Sequence, residues 1–197
     1  MRVLIGCESS GAVRRAFRAL GHDAWSCDLL PADDESLHHF QGDVLGRLDD
    51  GWDMAIFHPP CTHLSVSGAK HFAAKRADGR QQAALDFVGA LMECRIPAWA
   101  LENPVSIISS HFRKPNQIIQ PWQFGHEATK TTCLWTNNLP LLQPTNIVGK
   151  GPRHVTKSGK SLPDWYNLPP SADRWKIRSA TFQGIADAMA MQWGCHA

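Results

Sequence analysis

A chain of 197 residues, 43% hydrophobic and 19% charged, can bury one good core, and we expect one domain spanning residues 1–197. The formal net charge of +2 does not by itself indicate a nucleic-acid partner, and without an apolar leader or membrane-length stretch we expect a soluble cytoplasmic protein with no membrane partner and no obligate protein partner. The six cysteines lie far apart without a CxxC pair, which argues against a disulfide scaffold and a four-thiolate zinc site.

The first half of the chain alternates short apolar runs with helical segments. The predicted strands are Val3–Ile5, Ala24–Cys27, Asp53–Phe57 and Ile96–Leu101. Between them we predict a helix over Ala12–Leu20 that ends at Gly21, a short helical turn after Val44, and the longest helix from about Ala69 to Cys94. Strands separated by helices predict an α/β fold with a mostly parallel sheet flanked by helices.

The second half is less regular because prolines interrupt it. A strand over Thr132–Thr136 and a helix over Thr181–Trp193 are predicted there. The segment 150–178 carries seven lysines and arginines against two aspartates, and its part from Lys150 to Pro170 has the composition of an exposed, mobile loop. This loop either contacts phosphates or is an ordinary solvated loop, and the two readings stay equal at this point.

One cysteine stands out because of its setting. Cys61 follows an apolar strand in the motif His58-Pro59-Pro60-Cys61-Thr62-His63, where two prolines stiffen the backbone. A nucleophilic thiol needs a polarised, partly exposed setting of this kind, although a cysteine after a strand is often only an apolar filler. His58 and His63 have no fourth metal ligand at a supporting spacing, so no metal site is predicted.

Acidic residues follow several of the predicted strands. Glu8, Asp28, Asp43 and Glu102 join Cys61 at the carboxyl ends of a parallel sheet, where one cleft is expected to hold them all. An acid after the second strand can bind ribose hydroxyls, whereas the local reading of Asp28 and Asp43 is that of turn or cap residues. The glycine-containing turn that begins at Gly6 is a weak signal, because it lacks both GxGxxG and the lysine of a P-loop.

The second strong motif is Glu102-Asn103-Pro104, which closes an apolar strand. A carboxyl group beside an apolar wall can have a raised pKa, which would make Glu102 a proton donor at neutral pH. The alternative is a glutamate that merely begins a helix before a proline, but that role does not need Asn103.

Taken in order, these motifs resemble those of the DNA (cytosine-5) methyltransferases. The resemblance runs from Pro59-Pro60-Cys61 and Leu101-Glu102-Asn103-Pro104 through Phe124-Gly125 and the Thr132–Trp135 strand to the terminal helix at Gly184–Ala190, and so covers nearly the whole chain. It is nearest to the compact phage-type members, whose location would be the host cytoplasm. The resemblance implies a Rossmann-like fold that binds S-adenosylmethionine.

The resemblance also implies roles for individual residues. Cys61 would add to C6 of cytosine, Glu102 would contact N3 and the exocyclic amine, and Asn103 would hold the loop of Pro60. The implied catalytic residues are Cys61, Glu102, Asn103, Pro60 and Lys130. The implied cofactor contacts include Asp28 for the ribose and Asp43 for the adenine, and the full set is Cys7, Glu8, Ser9, Ser10, Gly11, Asp28, Leu29, Asp43, Val44, Pro59 and Ala186.

Three departures from the family pattern bear on function. The first motif, Glu8-Ser9-Ser10-Gly11, has fewer glycines than is usual in the family. Lys130-Thr131-Thr132 stands where the family carries two arginines, so one charge and the planar guanidinium fork are lost. Residues 137–178 give only a shortened basic region, with Trp165, Tyr166 and Trp175 as candidate base-stacking groups, in place of a target-recognition domain.

Three alternatives therefore stay open. The first hypothesis is S-adenosylmethionine-dependent C5-methylation of cytosine in duplex or single-stranded DNA. A second keeps the same chemistry on a free cytosine nucleotide such as dCMP, because a short chain has less means to open a duplex. A hypothesis from another functional class is a catalytically weak protein that binds nucleic acid. A cysteine hydrolase with His58 or His63 as base explains the fewest motifs.

Overall fold

The computed structural model describes residues 1–164, 169–171 and 174–195, without the side chain at position 175. Within them, one mixed sheet has the strand order β3-β2-β1-β4-β5-β7-β6. Its strands are β1 (Arg2–Gly6), β2 (Asp23–Asp28), β3 (His39–Gln41), β4 (Met54–Phe57), β5 (Ala98–Asn103), β6 (Gln117–Ile119) and β7 (Thr132–Asn137). Strands β1 to β5 are mutually parallel, and β7 runs antiparallel to both of its neighbours.

Helices cover both faces of this sheet. They are α1 (Ala12–Ala19), α2 (Phe72–Ala77), α3 (Arg80–Met92), α4 (Ile108–His111), α5 (Arg174–Ser179) and α6 (Gln183–Trp193), with 3-10 turns at Val44–Arg47, Val66–His71 and Pro121–Gln123. The prediction of an α/β, Rossmann-like fold with a mostly parallel sheet flanked by helices is confirmed.

Two apolar clusters hold the layers together. On one face, Phe17 of α1 and Met189 of α6 join Val3 and Ile5 of β1, all with no exposed surface. On the other face, Val88 of α3 belongs to the cluster that contains the strand residues Leu4, Phe57 and Leu101. Successive side chains of a strand point to opposite faces, which is why neighbouring residues of β1 belong to different clusters.

The structure corrects the predicted helix over residues 69–94. The segment is a 3-10 turn followed by α2 and α3, with a break at Asp78 and Gly79. Gly79 has a φ of 80°, a left-handed conformation that an α-helix cannot contain. Apolar content alone does not report such a break.

The sequence does not predict the short strands β3 and β6. β3 and β6 have three residues each, too few to establish an alternating pattern. The basic segment predicted as an irregular loop contains an antiparallel hairpin of β8 (Arg153–Val155) and β9 (Ser161–Pro163). Arg153 stabilises this hairpin, because its Nε donates to Ser161 Oγ at 2.9 Å.

Candidate active site

The parallel strands bring the sequence-predicted residues to one edge of the sheet. β2, β1, β4 and β5 are consecutive in the sheet, and their carboxyl ends lead into Leu29, Cys7, His58 and Pro104. In open α/β sheets, ligands bind at this edge, where the connections diverge. The topology therefore places the Cys61 loop between the end of β1 and the end of β5.

The loop that carries Cys61 is held from both sides. Asn103, at the end of β5, is buried and donates from Nδ2 to the carbonyl oxygen of Pro59 at 2.9 Å. The amide of His58 donates to the carbonyl of Gly6 at 2.9 Å, so the loop is also tied to β1. Pro60 and Cys61 are exposed at its tip. The backbone thus presents the thiol from a fixed support, in the place where a nucleophile would meet a ligand.

Charged groups around Cys61 act on its thiol in opposite directions. Packed protein atoms and the charge of Glu102 raise the pKa of the Cys61 thiol, although the residue as a whole is exposed. The positive charges of Lys130 and Arg178 lower that pKa, but they do not outweigh the other two effects. Cys61, Glu102, Lys130 and Arg178 therefore share one electrostatic environment, and neutralising Glu102 favours the thiolate.

Glu102 has a histidine partner that sequence reasoning missed. His58 Nδ1 lies 3.3 Å from Glu102 Oε2, and the two side chains are 10% and 14% exposed. Burial alone would raise the pKa of the Glu102 carboxyl, but the hydrogen bond from His58 and the charge of Lys130 outweigh it, so the net pKa is lowered. The prediction of a raised pKa at Glu102 is wrong, because it considered the apolar wall without these two partners.

A small pocket adjoins Glu102 on the side of α6. It is lined by Glu102, Lys130, Thr132, Thr181, Phe182 and Ile185. Lys130 Nζ lies 3.4 Å from the carbonyl oxygen of Ala180 and 5.8 Å from the centre of the Phe182 ring. Lys130 thus bridges from the start of β7 to the segment before α6 and covers one side of the pocket.

A second group of side chains lies at the ends of β1 and β2. Burial raises the pKa of the Cys7 thiol strongly, and the charges of Asp28 and Asp43 raise it further, so both carboxylates lie near Cys7. Leu29, 73% exposed, follows Asp28, whereas Val44, next to Asp43, is buried. The arrangement sets two carboxylates and an exposed apolar side chain around one strand end.

The local roles considered for the two aspartates are also present. Asp28 Oδ1 accepts from the amide of Leu30 at 2.9 Å, and Asp43 Oδ1 accepts from the amide of Leu45 at 3.0 Å. Each of these turn and cap contacts uses one carboxylate oxygen. The contacts orient the carboxylates and do not decide between a local role and ligand binding.

Glu8 has a different environment from the other acids. The amide of Val13 donates to its Oε1 at 2.8 Å and that of Arg14 donates to its Oε2 at 3.3 Å, so the buried carboxylate caps α1. Ser10 Oγ also donates to Glu8 Oε1, at 3.3 Å, and Gly11 precedes the helix with a φ of 68°. The expectation of one cleft shared by four carboxylates and a thiol is therefore wrong for Glu8, whose negative charge is used at the helix N-terminus.

The other predicted cofactor contacts are Ser9, Pro59 and Ala186, and each has a backbone or packing role. The carbonyl of Ser9 accepts a hydrogen bond from the amide of Asp33 at 2.9 Å, which ties the turn between β1 and α1 to the loop after β2. Pro59 is buried beneath the Cys61 loop, and Ala186 is fully buried in the cluster of α1 and α6. Trp165, Tyr166 and the side chain of Trp175 lie outside the described residues.

Two functional candidates had little or no sequence signal. His58 and Glu102 are 44 residues apart, but the register that pairs Phe57 with Leu101 makes them neighbours, so a correct alignment of the two strands would have found the pair. Arg178 is one of the seven basic residues of the segment 150–178, and no local pattern connects it to Cys61. Among the described residues, no group of three or more His, Cys, Asp or Glu side chains is arranged to hold a metal ion, and no helix is long and apolar enough to cross a membrane.

Comparison with known proteins adds one structural likeness. No protein-family model matches the chain, and no curated protein matches it. Among solved structures it is similar to a candidate DNA modification methyltransferase encoded within a prophage of E. coli, with 17% identity and a TM-score of 0.51 over 76% of this chain and 52% of that one. The chain thus spans about half the length of that neighbour. At this level of identity the likeness shows the fold alone, in agreement with the Rossmann-like sheet described above.

Proposed function

We propose that the protein transfers a methyl group from S-adenosylmethionine to C5 of cytosine in DNA, through a covalent bond between Cys61 and C6. The observation that carries this proposal is that Cys61 and Glu102 lie together at the carboxyl ends of the adjacent strands β4 and β5. The charge of Glu102 raises the pKa of the Cys61 thiol. The fold likeness to a candidate DNA modification methyltransferase supports the same class of reaction.

The residues at the ends of β1 and β2 fit the proposed cofactor. Asp28 and Asp43 supply two acceptors near Cys7, which suits ribose hydroxyls and an exocyclic amine, and the exposed Leu29 supplies an apolar surface for an adenine ring. A Cβ on Gly6 would lie 2.8 Å from a methyl group of Val44, so the backbone at this strand end is closely packed. When bound, S-adenosylmethionine supplies an electrophilic methyl group.

Cys61 and Glu102 would act on opposite edges of the pyrimidine. The thiolate is the nucleophilic form of cysteine, and its addition to C6 pushes electrons toward C5 and N3. A proton given to N3 by Glu102 would offset the developing negative charge. Before it donates its proton, neutral Glu102 does not raise the pKa of the Cys61 thiol, so a protonated Glu102 favours formation of the attacking thiolate. A base or water finally removes the C5 proton so that the sulfur can leave.

Entry of a base requires a local movement. The pocket beside Glu102 has a volume of about 10 Å³, which holds about one water molecule. Lys130 and Phe182 form one wall, and their mutual contact must open before a pyrimidine ring can reach Glu102. In this proposal Lys130 moves from the Ala180 carbonyl to the substrate, where it takes the place of one family arginine.

The basic hairpin supports a nucleic-acid substrate. Lys157 and Lys160 are exposed in or beside the turn between β8 and β9, where they are available to phosphate oxygens. Arg178, which acts on Cys61, follows the same segment. Exposed lysines on the hairpin, together with a further cation that acts on the Cys61 thiol, suit a polyanion better than a mononucleotide.

Labelled-methyl transfer tests the proposal. The purified protein is incubated with methyl-labelled S-adenosylmethionine and matched amounts of duplex DNA, single-stranded DNA and dCMP. We expect label in 5-methylcytosine of DNA, lost in Cys61→Ser and kept in Cys195→Ser, a matched change at another exposed cysteine. Label in dCMP alone would replace the DNA assignment with the nucleotide alternative. DNA binding without any transfer would leave the binding-protein reading.

A further inference from the structure

The imidazole of His58 is fixed against Glu102 more firmly than a surface pair. His58 lies between β4 and Pro59, which restricts it to extended conformations, and its amide is bonded to Gly6. Its Nδ1 lies 3.3 Å from Glu102 Oε2 with both side chains largely buried. A hydrogen bond in such a setting sets the orientation of the carboxylate.

The second ring nitrogen of His58, Nε2, makes no hydrogen bond that would hold the ring in place. It is buried and has no hydrogen-bond partner among the described residues. Leaving a buried polar atom unpaired costs about 1–3 kcal/mol, and such atoms in native proteins call for a specific explanation. A side chain that only positioned Glu102 would not need this nitrogen, whereas a group that gains and loses a proton does.

Glu102 needs such a partner for the proposed chemistry. Its pKa is lowered by His58 and Lys130, so the carboxyl is ionised at neutral pH. A carboxylate cannot donate a proton to N3 unless it receives one first. The charged and titratable groups that interact with Glu102 are Lys130, His58 and the thiols of Cys61 and Cys133. Lys130 favours the ionised carboxylate, the Cys61 sulfur is the proposed nucleophile, and the pKa of the buried Cys133 thiol is raised. His58, whose Nδ1 lies 3.3 Å from the carboxylate, is therefore the donor.

We propose, on the basis of the function proposed above, that His58 positions Glu102 and supplies the proton that Glu102 passes to N3 of the target cytosine. The Nδ1 proton of the His58 imidazolium first moves to Oε2 of the Glu102 carboxylate, which leaves neutral imidazole and a carboxylic acid. As the Cys61 sulfur bonds to C6, the C5–C6 π electrons move toward N3, N3 takes that proton from Glu102, and the carboxylate is restored. When the sulfur later leaves with its electron pair, N3 returns its proton by the same route.

Two substitutions separate proton supply from positioning. His58→Asn keeps a donor to Glu102 but cannot titrate, and His58→Leu loses both. At pH 7.5 we expect His58→Asn to lower kcat by about 100-fold, the lower end of the usual range for acid–base catalysis, while KM changes less than about threefold. The loss shrinks as pH falls, because Glu102 then holds its own proton, and the pH optimum moves downward. His58→Leu is expected to raise KM as well.

The matched control is His111→Asn, at an exposed histidine on α4, which is expected to leave the pH profile unchanged. Loss of activity in His58→Asn by one constant factor at every pH would overturn the proton role.

A measurement without turnover distinguishes this inference from the proposed function. Long-range ¹H–¹⁵N NMR of the histidine rings in the substrate-free protein is expected to show a proton on Nδ1 of His58, and Glu102→Ala is expected to change that signal. A substrate-free His58 without a proton on Nδ1 would overturn the inference. An Nδ1 proton in a protein that methylates no substrate would instead overturn the proposed function while the pair stands.

Discussion

The bond from Asn103 to the Cys61 loop allows a quantitative prediction. In Asn103→Ala, the Pro59 carbonyl loses its donor in a buried position. An unpaired buried acceptor costs about 1–3 kcal/mol, so we expect about 1–3 kcal/mol of lost stability. In a chain of this size, that lowers Tm by roughly 2–12 °C.

Asn137→Ala is a matched control. Asn137 Nδ2 also donates to a proline carbonyl, that of Pro97, at 3.2 Å, but in an exposed position where Asn138 donates to the same oxygen at 2.8 Å. We therefore expect Asn137→Ala to change stability by less than about 0.5 kcal/mol. Urea unfolding of both variants measures the difference. Equal losses in the two would refute the argument, since burial of the Pro59 contact would then carry no energy.

Three further experiments test other parts of the structure. Because the pKa of the Cys61 thiol is raised, we expect slow alkylation by iodoacetamide at pH 7 and a rate that increases up to and beyond pH 9, as followed by mass spectrometry. An alkylation rate already at its plateau at pH 7 would contradict the raised pKa. Asp34 pairs with the buried Arg14, and its pKa is about 2. Because this folded-state pKa lies below the unfolded value, the stabilisation is complete above about pH 4 and is lost as pH falls through 2. Asp34→Asn should cost about 3 kcal/mol at pH 7 and much less near pH 2, and equal losses at both would contradict the pairing. Gly11→Ala should destabilise the protein more than Gly21→Ala. Both glycines have a positive φ, but only a Cβ at Gly11 would meet the Arg14 guanidinium, at 2.3 Å. Thermal melts that rank the two variants in the reverse order would count against this packing.

The long apolar strands and the first helix could be predicted because their patterns are local. β1, β4 and β5 consist mostly of buried apolar residues, and α1 lies between clear start and stop signals. The break at Gly79 depends on a single backbone angle, and the three-residue strands depend on pairing with distant partners. Neither leaves a periodic signal in the sequence.

The sequence predicts some residues of the candidate site but not their electrostatics. Cys61, Glu102 and Asn103 follow from motifs at strand ends, and their proximity follows from a parallel sheet. The lowered pKa of Glu102 could not be predicted, because it depends on His58 and Lys130, which reach Glu102 through the register of β4 with β5 and the packing of α6. The sequence likewise does not predict that Glu8 caps helix α1, because nothing in the sequence distinguishes a capping glutamate after a strand from a ligand-binding one.

Trapping the covalent intermediate tests the central claim most directly. The protein is incubated with S-adenosylmethionine and an oligonucleotide that contains 5-fluorocytosine, whose fluorine blocks the final loss of the C5 substituent. The account predicts a denaturant-resistant adduct, with the oligonucleotide mapped by mass spectrometry to the peptide of Cys61 and lost in Cys61→Ser. An adduct at another cysteine, or methyl transfer to cytosine that persists in Cys61→Ser, would contradict it.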